Sequence, residues 1–319
     1  MSADLLERVR AGGLLAPGRP VLVLLSGGRD SVCLLDLAVR IAGAADVEAL
    51  HCNYGLRDAA AADEAHCAAL CERLGVALHV RRPQRPPTGN LQAWARAQRY
   101  AEAERLAAAD GDIAAGHTAS DQVETVLYRL AASPGRRALL GMAEREGRLI
   151  RPLLGASREE TAAYDRARGL AWREDASNAS PDFARNRLRA ALLPALRALH
   201  PAAEANVLRT LALLRDEAAV LDAVVDAALA AAGDPPALAA LRELSPPLRR
   251  LALQRLADRV APADAPAPAI GHRAADVLAL GEGGALDVGG GLRAEIRGGA
   301  LHFGASRGPA APHRDAAPS

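Results

Sequence analysis

The composition of the chain limits what it can be. Its 319 residues are 50% hydrophobic and 3% aromatic, with a formal net charge of +1, so a core of small aliphatic side chains and room for two domains are expected. All 39 basic residues are arginine, which excludes a Walker A lysine, a Schiff-base lysine and a catalytic lysine base. Without a signal-like apolar start or a stretch long enough to span a bilayer, the chain is expected to be cytoplasmic, with no membrane partner.

The first half of the chain alternates strand-like apolar runs with helix-like amphipathic stretches. Strands are predicted at Val21–Leu25, Val47–Asn53, Ala77–Pro83, Asp112–His117 and Arg148–Leu154. Helices are predicted after Asp30, Ala59, Leu91 and Thr118. This alternation predicts an α/β fold, a parallel sheet with helices on both faces, in which ligands bind at the carboxyl ends of the strands.

The second half has a different character. Stretches rich in alanine, leucine and arginine predict helices at Ala202–Ala232 and Leu238–Val260, and after a proline-rich linker Leu286–Phe303 predicts a glycine-turned β-meander. The expected organisation is a catalytic domain over residues 1–200, a smaller helical and β-meander domain over residues 201–304, and a disordered tail over residues 305–319.

A short polar loop interrupts the first strand–helix pair. The loop Ser26–Ser31 (SGGRDS) follows an apolar strand and opens a helix, and it matches neither GxxxxGK[ST] nor GxGxxG. Paired glycines let the backbone approach a ligand closely, and a helix N-terminus attracts anions. The loop therefore predicts a phosphate cradle, with a tight connection that binds nothing as the alternative. Its serine hydroxyls would add donors, and Asp30 can hold Mg²⁺.

Two further polar segments lie near later strands. His51–Asp58 (HCNYGLRD) ends the second strand. A lone histidine at a strand end is more often structural than catalytic, so His51 is expected only to line the site. Asn90–Tyr100 (NLQAWARAQRY) predicts a helix with Arg96 and Tyr100 one turn apart, a pattern that by itself is typical of a solvated helix face.

A pair of carboxylates lies in Gly116–Leu130 (GHTASDQVETVLYRL). Thr118 and Asp121 have the spacing of a capping box, which predicts that a helix begins there. Asp121 and Glu124 share one face of that helix, and His117 stands just before it. Two carboxylates beside phosphates are costly without a cation, so Mg²⁺ or a cationic substrate is expected between them.

Arginines are concentrated in WREDASNASPDFARNRLRAALLPAL, residues 172–196. A helix capped by Asn178 or Ser180 is predicted there. Its three arginines are Arg185, Arg187 and Arg189. Arginine at this density suits contacts with phosphate, whereas the same run in isolation would be typical of a solvated helix face.

These segments, in this order, resemble the N-type ATP pyrophosphatases of the PP-loop superfamily, and among them the tRNA(Ile)-lysidine synthetase family. The loop is similar to the superfamily's S-G-G-x-D-S, and later segments are similar to the family's H-x-N-H-x-L-R, N-L-E-A-x-A-R-x-x-R-Y, G-H-T-A-D-D-Q-x-E-T and R-N-x-x-R. The chain departs from the family at Tyr54 (histidine in the family), at Ser120 (aspartate in the family) and in the stretch AASPGRRALLGM. It resembles the short form, without the extra C-terminal domain of longer members.

The resemblance implies ligands and site residues. ATP and Mg²⁺ are the implied cofactors, free L-lysine and the CAU-anticodon isoleucine tRNA are the implied partners, and a homodimer is compatible with them. The implied nucleotide-binding residues are Ser26, Gly27, Gly28, Arg29, Asp30, Ser31, His51 and Asn53. The implied catalytic residues are Asp30, His117, Asp121 and Glu124, with Asp30 and Asp121 as metal ligands. The implied tRNA-binding residues are Arg57, Arg96, Arg185, Arg187 and Arg189.

The implied reaction has two steps. ATP adenylates the 2-keto oxygen of the wobble cytidine and releases pyrophosphate, and the ε-amine of lysine then displaces AMP to give lysidine. A tRNA-thiolating enzyme with the same loop is the second hypothesis, but such enzymes use paired cysteines, and the four cysteines here form no CxxC pair. A nucleotide- or RNA-binding protein with a degenerate site is the third, motivated by Tyr54 and Ser120.

Overall fold

The structure, a computed structural model, describes residues 2–55, 59–84, 91–132, 136–173, 187–261 and 267–306. The chain divides into two compact units, residues 1–211 and 212–319, and the domain boundaries expected from the sequence stay predictions. Among the described residues, no helix combines the length and the apolarity needed to cross a membrane.

A six-stranded sheet in the order β3-β2-β1-β4-β6-β5 forms the centre of the first unit. Its strands are β1 Val21–Leu24, β2 Val47–Cys52, β3 Ala77–Arg81, β4 Asp112–Ala114, β5 Arg145–Glu146 and β6 Leu149–Ile150. Strands β1, β2, β3, β4 and β6 pair in parallel, whereas β5 runs antiparallel to β6. The predicted parallel sheet is confirmed, and β5, which was not predicted, is too short to show any periodicity in the sequence.

Helices cover both faces of this sheet. Along β1 and the residue after it, Val21, Val23 and Leu25 are buried in one apolar cluster with the helices Ser2–Ala11, Arg29–Ala42 and Arg158–Ala167. Leu22 and Leu24 are buried in a second cluster with the helix Leu91–Leu106. The alternation follows from the two-residue period of a strand. The helices of the first unit are α1 Ser2–Ala11, α2 Arg29–Ala42, α3 Ala60–Leu74, α4 Leu91–Leu106, α5 Ala119–Ala132, α6 Arg136–Leu139, α7 Arg158–Ala167 and α8 Leu193–Leu199, the last preceded by a π-helical turn at Leu188–Leu192.

Helix α7 was not predicted, although its start carries a recognisable signal. Ser157 and Glu160 form a complete capping box: the Ser157 N–H donates to Oε2 of Glu160 at 2.7 Å, and the Glu160 N–H donates to Oγ of Ser157 at 3.2 Å. A serine followed three residues later by glutamate is the sequence signature of such a box. The same signature would have located this helix from the sequence.

A three-stranded antiparallel sheet, β7-β8-β9, lies in the second unit. Its strands are β7 Ala285–Gly289, β8 Leu292–Arg297 and β9 Ala300–Ala305, so the predicted meander is confirmed, although β9 includes Ala305, which was expected to begin the tail. The remaining helices are α9 Ala203–Ala232, α10 Leu238–Glu243, α11 Pro246–Val260 and α12 Ala274–Leu278. Residues 307–319, the rest of the predicted tail, lie outside the described residues.

The prediction of one continuous helix over Leu238–Val260 is wrong. Helix α10 ends at Glu243, and α11 begins at Pro246 with Ser245 in an extended conformation before it. Proline lacks an N–H to donate and disfavours helical geometry in the preceding residue. The Pro-Pro pair therefore starts a new helix instead of continuing the old one.

Candidate active site

The loop between β1 and α2 leaves several backbone donors unused. Gly27 has φ +82°, and Gly28 is the N-cap of α2 without a side-chain cap. The N–H groups of Gly27, Arg29 and Asp30 donate to no described residue. Unpaired N–H groups at the start of a fourteen-residue helix carry partial positive charge and suit an anion.

The serine hydroxyls of this loop are used within it. Oγ of Ser31 accepts the Ser26 N–H at 3.1 Å, lies 3.0 Å from Oγ of Ser26, and donates to the Gly28 carbonyl at 2.8 Å. The expectation that both hydroxyls add donors for phosphate is therefore not what this geometry favours. They hold the loop in shape, and the backbone N–H groups are left for a ligand.

Close packing beneath the loop requires glycine at position 27. A Cβ on Gly27 would lie 3.2 Å from Sγ of Cys67, and its φ is in the region that favours glycine. From the other side, the Arg173 N–H donates to the Gly27 carbonyl at 2.9 Å, and the Arg173 guanidinium pairs with Asp63 on α3. The loop is thus clamped between α3 and the segment that follows α7.

His51 lies below the loop instead of at its ligand-facing surface. The side chain is buried, with 5% exposed, and Nδ1 lies 2.9 Å from the Leu25 carbonyl and 3.4 Å from Sγ of Cys67. The expectation that His51 binds the nucleotide is not supported by this position, because its ring supports the end of β1. The structural alternative for a lone histidine describes it better.

Asn53 and Tyr54 organise the chain after β2. Nδ2 of Asn53 donates to Oε2 of Glu64 at 2.9 Å, and the Tyr54 hydroxyl donates to the Ala95 carbonyl at 2.8 Å. Tyr54 also makes an edge-on contact with Trp94, with ring centroids 5.6 Å apart. The tyrosine that replaces the family's histidine therefore connects this segment to α4.

Of the arginines expected near these segments, Arg96 lies on α4, with its guanidinium carbon 4.8 Å from the ring centroid of Tyr100. Arg57 lies outside the described residues.

Asp30 connects α2 to α7. Its Oδ1 accepts hydrogen bonds from Oγ1 of Thr161 at 2.6 Å and from Nε of Arg29 at 3.0 Å. Thr161 is buried and was not singled out from the sequence, since it is 131 residues from its partner. The carboxylate expected to hold a metal is thus already oriented by a hydroxyl and a guanidinium.

The carboxyl end of β4 lies directly against the first turn of α2. A Cβ on Gly116 would lie 3.0 Å from the backbone oxygen of Asp30. The next residue, His117, has its pKa lowered to about 4 because burial disfavours the cation, so its ring is neutral at pH 7. Its Nδ1 is buried without a hydrogen-bond partner among the described residues.

Helix α5 begins where the capping pattern predicted. Oδ2 of Asp121 accepts the Thr118 N–H at 2.9 Å and the Thr118 hydroxyl at 3.0 Å. Burial by itself would raise the pKa of Asp121, but the Thr118 N–H and the Arg158 guanidinium hold it below its usual value. Asp121 is therefore an anion at neutral pH.

The two carboxylates of α5 already have cationic partners. Glu124 is 2% exposed, and its Oε1 pairs with Nε of Arg189. Nη2 of Arg189 also donates to Oδ1 of Asp121 at 3.1 Å, and Nη2 of Arg158 lies 3.5 Å from Asp121 and 3.8 Å from Glu124. Glutamate and aspartate are thus compensated by arginines from two other segments.

This arrangement corrects the interpretation of the arginine cluster. Arg189 was expected to face tRNA, but its guanidinium points inward and binds both carboxylates. Arg187, two residues earlier, is exposed and remains a candidate for contact with RNA. Arg185 lies outside the described residues, as do the proposed caps Asn178 and Ser180.

No three histidine, cysteine, aspartate or glutamate side chains within the described ranges are grouped so that they could hold a metal ion. Mg²⁺ commonly binds one or two carboxylates together with substrate phosphates. A metal shared with a bound nucleotide would therefore need only one or two carboxylates of this chain, and Asp30 and Asp121 stay the predicted ligands.

Comparison with known proteins agrees with this geometry. The PP-loop domain family matches residues 5–196. A tRNA(Ile)-lysidine synthase of Thermus thermophilus is 41% identical over 259 residues, 77% of this chain and 50% of that protein. One of Symbiobacterium thermophilum is 43% identical over 247 residues, 72% of this chain and 51% of that protein. The chain spans about half the length of these curated relatives.

Among solved structures, the U34-tRNA thiolase NcsA from Methanococcus maripaludis, solved with its [4Fe-4S] cluster, has a TM-score of 0.53. It is 17% identical and covers 67% of this chain and 78% of its own, a similarity that extends to the fold alone. The segment that matches the family, by contrast, contains the loop of Gly27, the carboxylates of α5 and the contacts of α7. The chain therefore belongs to the PP-loop domain family, whose members use ATP.

Proposed function

We propose that the chain attaches free L-lysine to C2 of the wobble cytidine in the CAU-anticodon isoleucine tRNA, with ATP converted to AMP and pyrophosphate. The unpaired N–H groups at the start of α2, in a chain about 40% identical to proteins named tRNA(Ile)-lysidine synthase, carry this proposal. The modification would change both the codon that the tRNA reads and the amino acid that it accepts. The proposal includes a cytoplasmic location for the enzyme.

The loop supplies the nucleotide site in this proposal. Backbone N–H groups of Gly27, Arg29 and Asp30 would receive the terminal phosphates, because they have no other acceptor among the described residues. Mg²⁺, held by Asp30 and Asp121 together with phosphate oxygens, would neutralise charge on the phosphates. Thr161 keeps the Asp30 carboxylate oriented.

In the first step the 2-keto oxygen of cytidine attacks the α-phosphorus of ATP. An oxygen–phosphorus bond forms, the bond from the α-phosphorus to the bridging oxygen breaks, and pyrophosphate leaves with that electron pair. The donors at the start of α2 stabilise the charge that develops on the leaving pyrophosphate. No lysine or cysteine of the protein is needed, because the cytidine is the nucleophile.

In the second step the ε-amine of lysine attacks C2 of the adenylated cytidine. The ε-ammonium first gives one proton to water, the free amine then forms a carbon–nitrogen bond to C2, the bond from C2 to the adenylyl oxygen breaks, and AMP leaves with that electron pair. A second proton passes from the new nitrogen to water. Asp121 and Glu124 would hold the lysine ammonium before attack. Because Arg189 already binds both carboxylates, lysine must displace this arginine or share the carboxylates with it. The neutral His117 ring can accept a hydrogen bond beside them.

The thiolating alternative finds little support in the cysteines. Cys33, Cys67 and Cys71 are buried and Cys52 is half-buried, and none is in a disulfide. Burial raises the pKa of Cys67 to about 12 and that of Cys71 to about 11, so both are protonated at neutral pH. Sulfur transfer needs a reactive thiolate.

The test is pyrophosphate release measured with and without the isoleucine tRNA, followed by addition of lysine. We expect tRNA-dependent release in the wild-type protein and transfer of labelled lysine to the tRNA. Asp30→Ala should abolish release while tRNA binding and the melting temperature stay near those of the wild type. Release that needs no tRNA, or tRNA that gains sulfur in place of lysine, would reject the proposal.

A further inference from the structure

Arg158 is placed by a rigid helix start. It is the first residue of α7, directly after the capping box of Ser157 and Glu160. Glu160 is held in addition by Arg8 of α1, at 2.6 Å. Because these contacts fix the beginning of the helix, the direction in which the Arg158 side chain leaves the backbone is fixed as well.

The first turn of α7 touches both halves of the candidate site. Thr161, one turn after Arg158, donates to Oδ1 of Asp30 at 2.6 Å. Arg158 itself lies beside Asp121 and Glu124 on α5. The first turn of α7 therefore lies between the helix that begins at the phosphate loop and the helix that carries the two carboxylates, with the Arg158 guanidinium beside the carboxylates.

The donors of Arg158 are poorly used by these neighbours. Its Nη2 lies 3.5 Å from Asp121 and 3.8 Å from Glu124, too far for good hydrogen bonds. Its Nε is buried and has no acceptor among the described residues. The same two carboxylates are bound directly by Arg189, so they do not depend on Arg158 for hydrogen bonds.

A buried guanidinium N–H without an acceptor is unfavourable unless a ligand supplies one. A guanidinium also presents its donors in a planar fork that matches phosphate oxygens. Terminal phosphates have the N–H groups of the loop as donors, whereas the phosphate that is transferred must lie between the loop and the nucleophile. Arg158 lies beside the carboxylates of α5, in the same turn of α7 that binds Asp30, and so is placed to reach that phosphate.

We propose that Arg158 binds a non-bridging oxygen of the nucleotide's α-phosphate, the phosphate that is transferred to the acceptor. This inference rests on the proposed function for the transfer itself, but it requires only a nucleotide site for the contact. While the bond to the acceptor oxygen forms and the bond to pyrophosphate breaks, charge on the non-bridging oxygens is stabilised by this guanidinium. Its donors then have the acceptor that they lack in the free protein.

The test compares AMP, adenosine and pyrophosphate as ligands of the purified full chain by calorimetry. Arg158→Gln should weaken AMP binding about tenfold or more, since a hydrogen bond to a charged group has that effect. It should leave adenosine and pyrophosphate binding unchanged, because these contact other donors. Arg158→Lys, which keeps the charge but loses the fork, should recover part of the AMP affinity.

Arg166→Gln is the matched control, because Arg166 is exposed on the same helix and lies over the ring of Trp172. It should bind all three ligands as the wild type does. Equal losses of AMP and adenosine affinity in Arg158→Gln would mean that Arg158 only supports the carboxylates, and would overturn the proposal. So would a wild-type chain that binds AMP no better than adenosine. The measurement needs neither tRNA nor lysine, so its result is independent of which acceptor is adenylated.

Discussion

The phosphate loop and the carboxylates of α5 lie on either side of the first turn of α7. The loop has hydrogen-bond donors that are unpaired among the described residues, whereas the carboxylates are paired with arginine. In the loop, N–H donors of Gly27, Arg29 and Asp30 have no described acceptor. On α5, Glu124 and Asp121 are already bound by Arg189. The loop thus offers unpaired donors that suit an anion, whereas a cation can bind the carboxylates only by displacing Arg189 or by sharing them with it.

The largest effect is expected from a substitution that distorts the phosphate loop. Gly27→Ala places a methyl group 3.2 Å from Sγ of Cys67 at φ +82°, so the loop must shift. A displacement of about 1 Å can lower a rate about 100-fold, and we expect at least that loss in tRNA-dependent pyrophosphate release.

The control for this change is Gly75→Ala at the end of α3. Gly75 has φ +68°, and nothing lies within 4 Å of its added Cβ. It should destabilise the fold by about 1–2 kcal/mol for the left-handed backbone and leave pyrophosphate release intact. Equal rates in the two variants would mean that the loop shape is not needed for the reaction.

The next effect concerns the carboxylates of α5, which are already paired with arginine. Glu124→Gln removes the charge and keeps the shape, so the KM for lysine should rise about 10- to 150-fold, with adenylation of tRNA nearly unchanged. Lysine-dependent AMP release at varied lysine concentration measures it. Loss of adenylation that extra Mg²⁺ partly restores would instead assign Glu124 to the metal.

Glu204→Gln serves as its control, because Glu204 pairs with the exposed Arg197. A surface ion pair contributes less than about 1 kcal/mol, so neither step of the reaction should change. A rise in lysine KM in both variants would show a general effect of charge instead of binding at Glu124.

A smaller effect, on the salt dependence of tRNA binding, should distinguish the roles of Arg187 and Arg189. Arg187→Ala, at an exposed position, should lower the salt dependence of tRNA binding by about one unit of slope. Arg189→Ala should leave the slope unchanged but lower stability, by about 3–5 kcal/mol, since Glu124 loses its closest partner. Filter binding at several salt concentrations and thermal unfolding measure the two. A reduced slope for Arg189→Ala would mean that Arg189 contacts tRNA phosphate after all.

The smallest effect tests a carboxyl group behind the loop. Asp165 on α7 is fully buried, and neither oxygen has a hydrogen-bond partner among the described residues. Burial raises the pKa of Asp165 to about 8, and the nearby negative charges of Asp30 and Asp36 add to this effect. The positive charge of Arg29 opposes it. In the unfolded chain an aspartate has a pKa of about 3.9.

The sign of the pH dependence follows from that difference. Between about pH 4 and pH 8 the unfolded chain releases a proton that the folded Asp165 retains, so this group lowers stability as pH rises. Relative to the wild type, Asp165→Asn should therefore gain melting temperature steadily from pH 5 to pH 8, and no further above pH 8. A difference that is constant with pH would place the pKa of Asp165 in its ordinary range. Asp36→Asn, which weakens bonds to Tyr164 and Arg168, should destabilise throughout.

Local patterns in the sequence were enough for the parts of the site that depend on neighbours in the chain. The strand, the paired glycines and the start of α2 lie within residues 21–42, so their sequence alone predicted the loop. Thr118 and Asp121 are three residues apart, and their hydrogen bonds formed as expected. The meander of the second unit followed in the same way from its glycines and its alternating apolar residues.

Tertiary structure decided which charges meet. Thr161 is 131 residues from Asp30, and Arg189 is 65 residues from Glu124, so no local pattern connects them. The arginine run could be read from the sequence as a surface for RNA, because the inward turn of Arg189 depends on how α5 and the chain near residue 189 come together. The sequence by itself determined where hydrogen-bond donors, acidic residues and arginines lie along the chain. Only the folded structure determined which of them already have a hydrogen-bond or ion-pair partner. The reason is physical: backbone conformation is set within a few residues, whereas the partner of a buried charge is chosen by whatever packs against it.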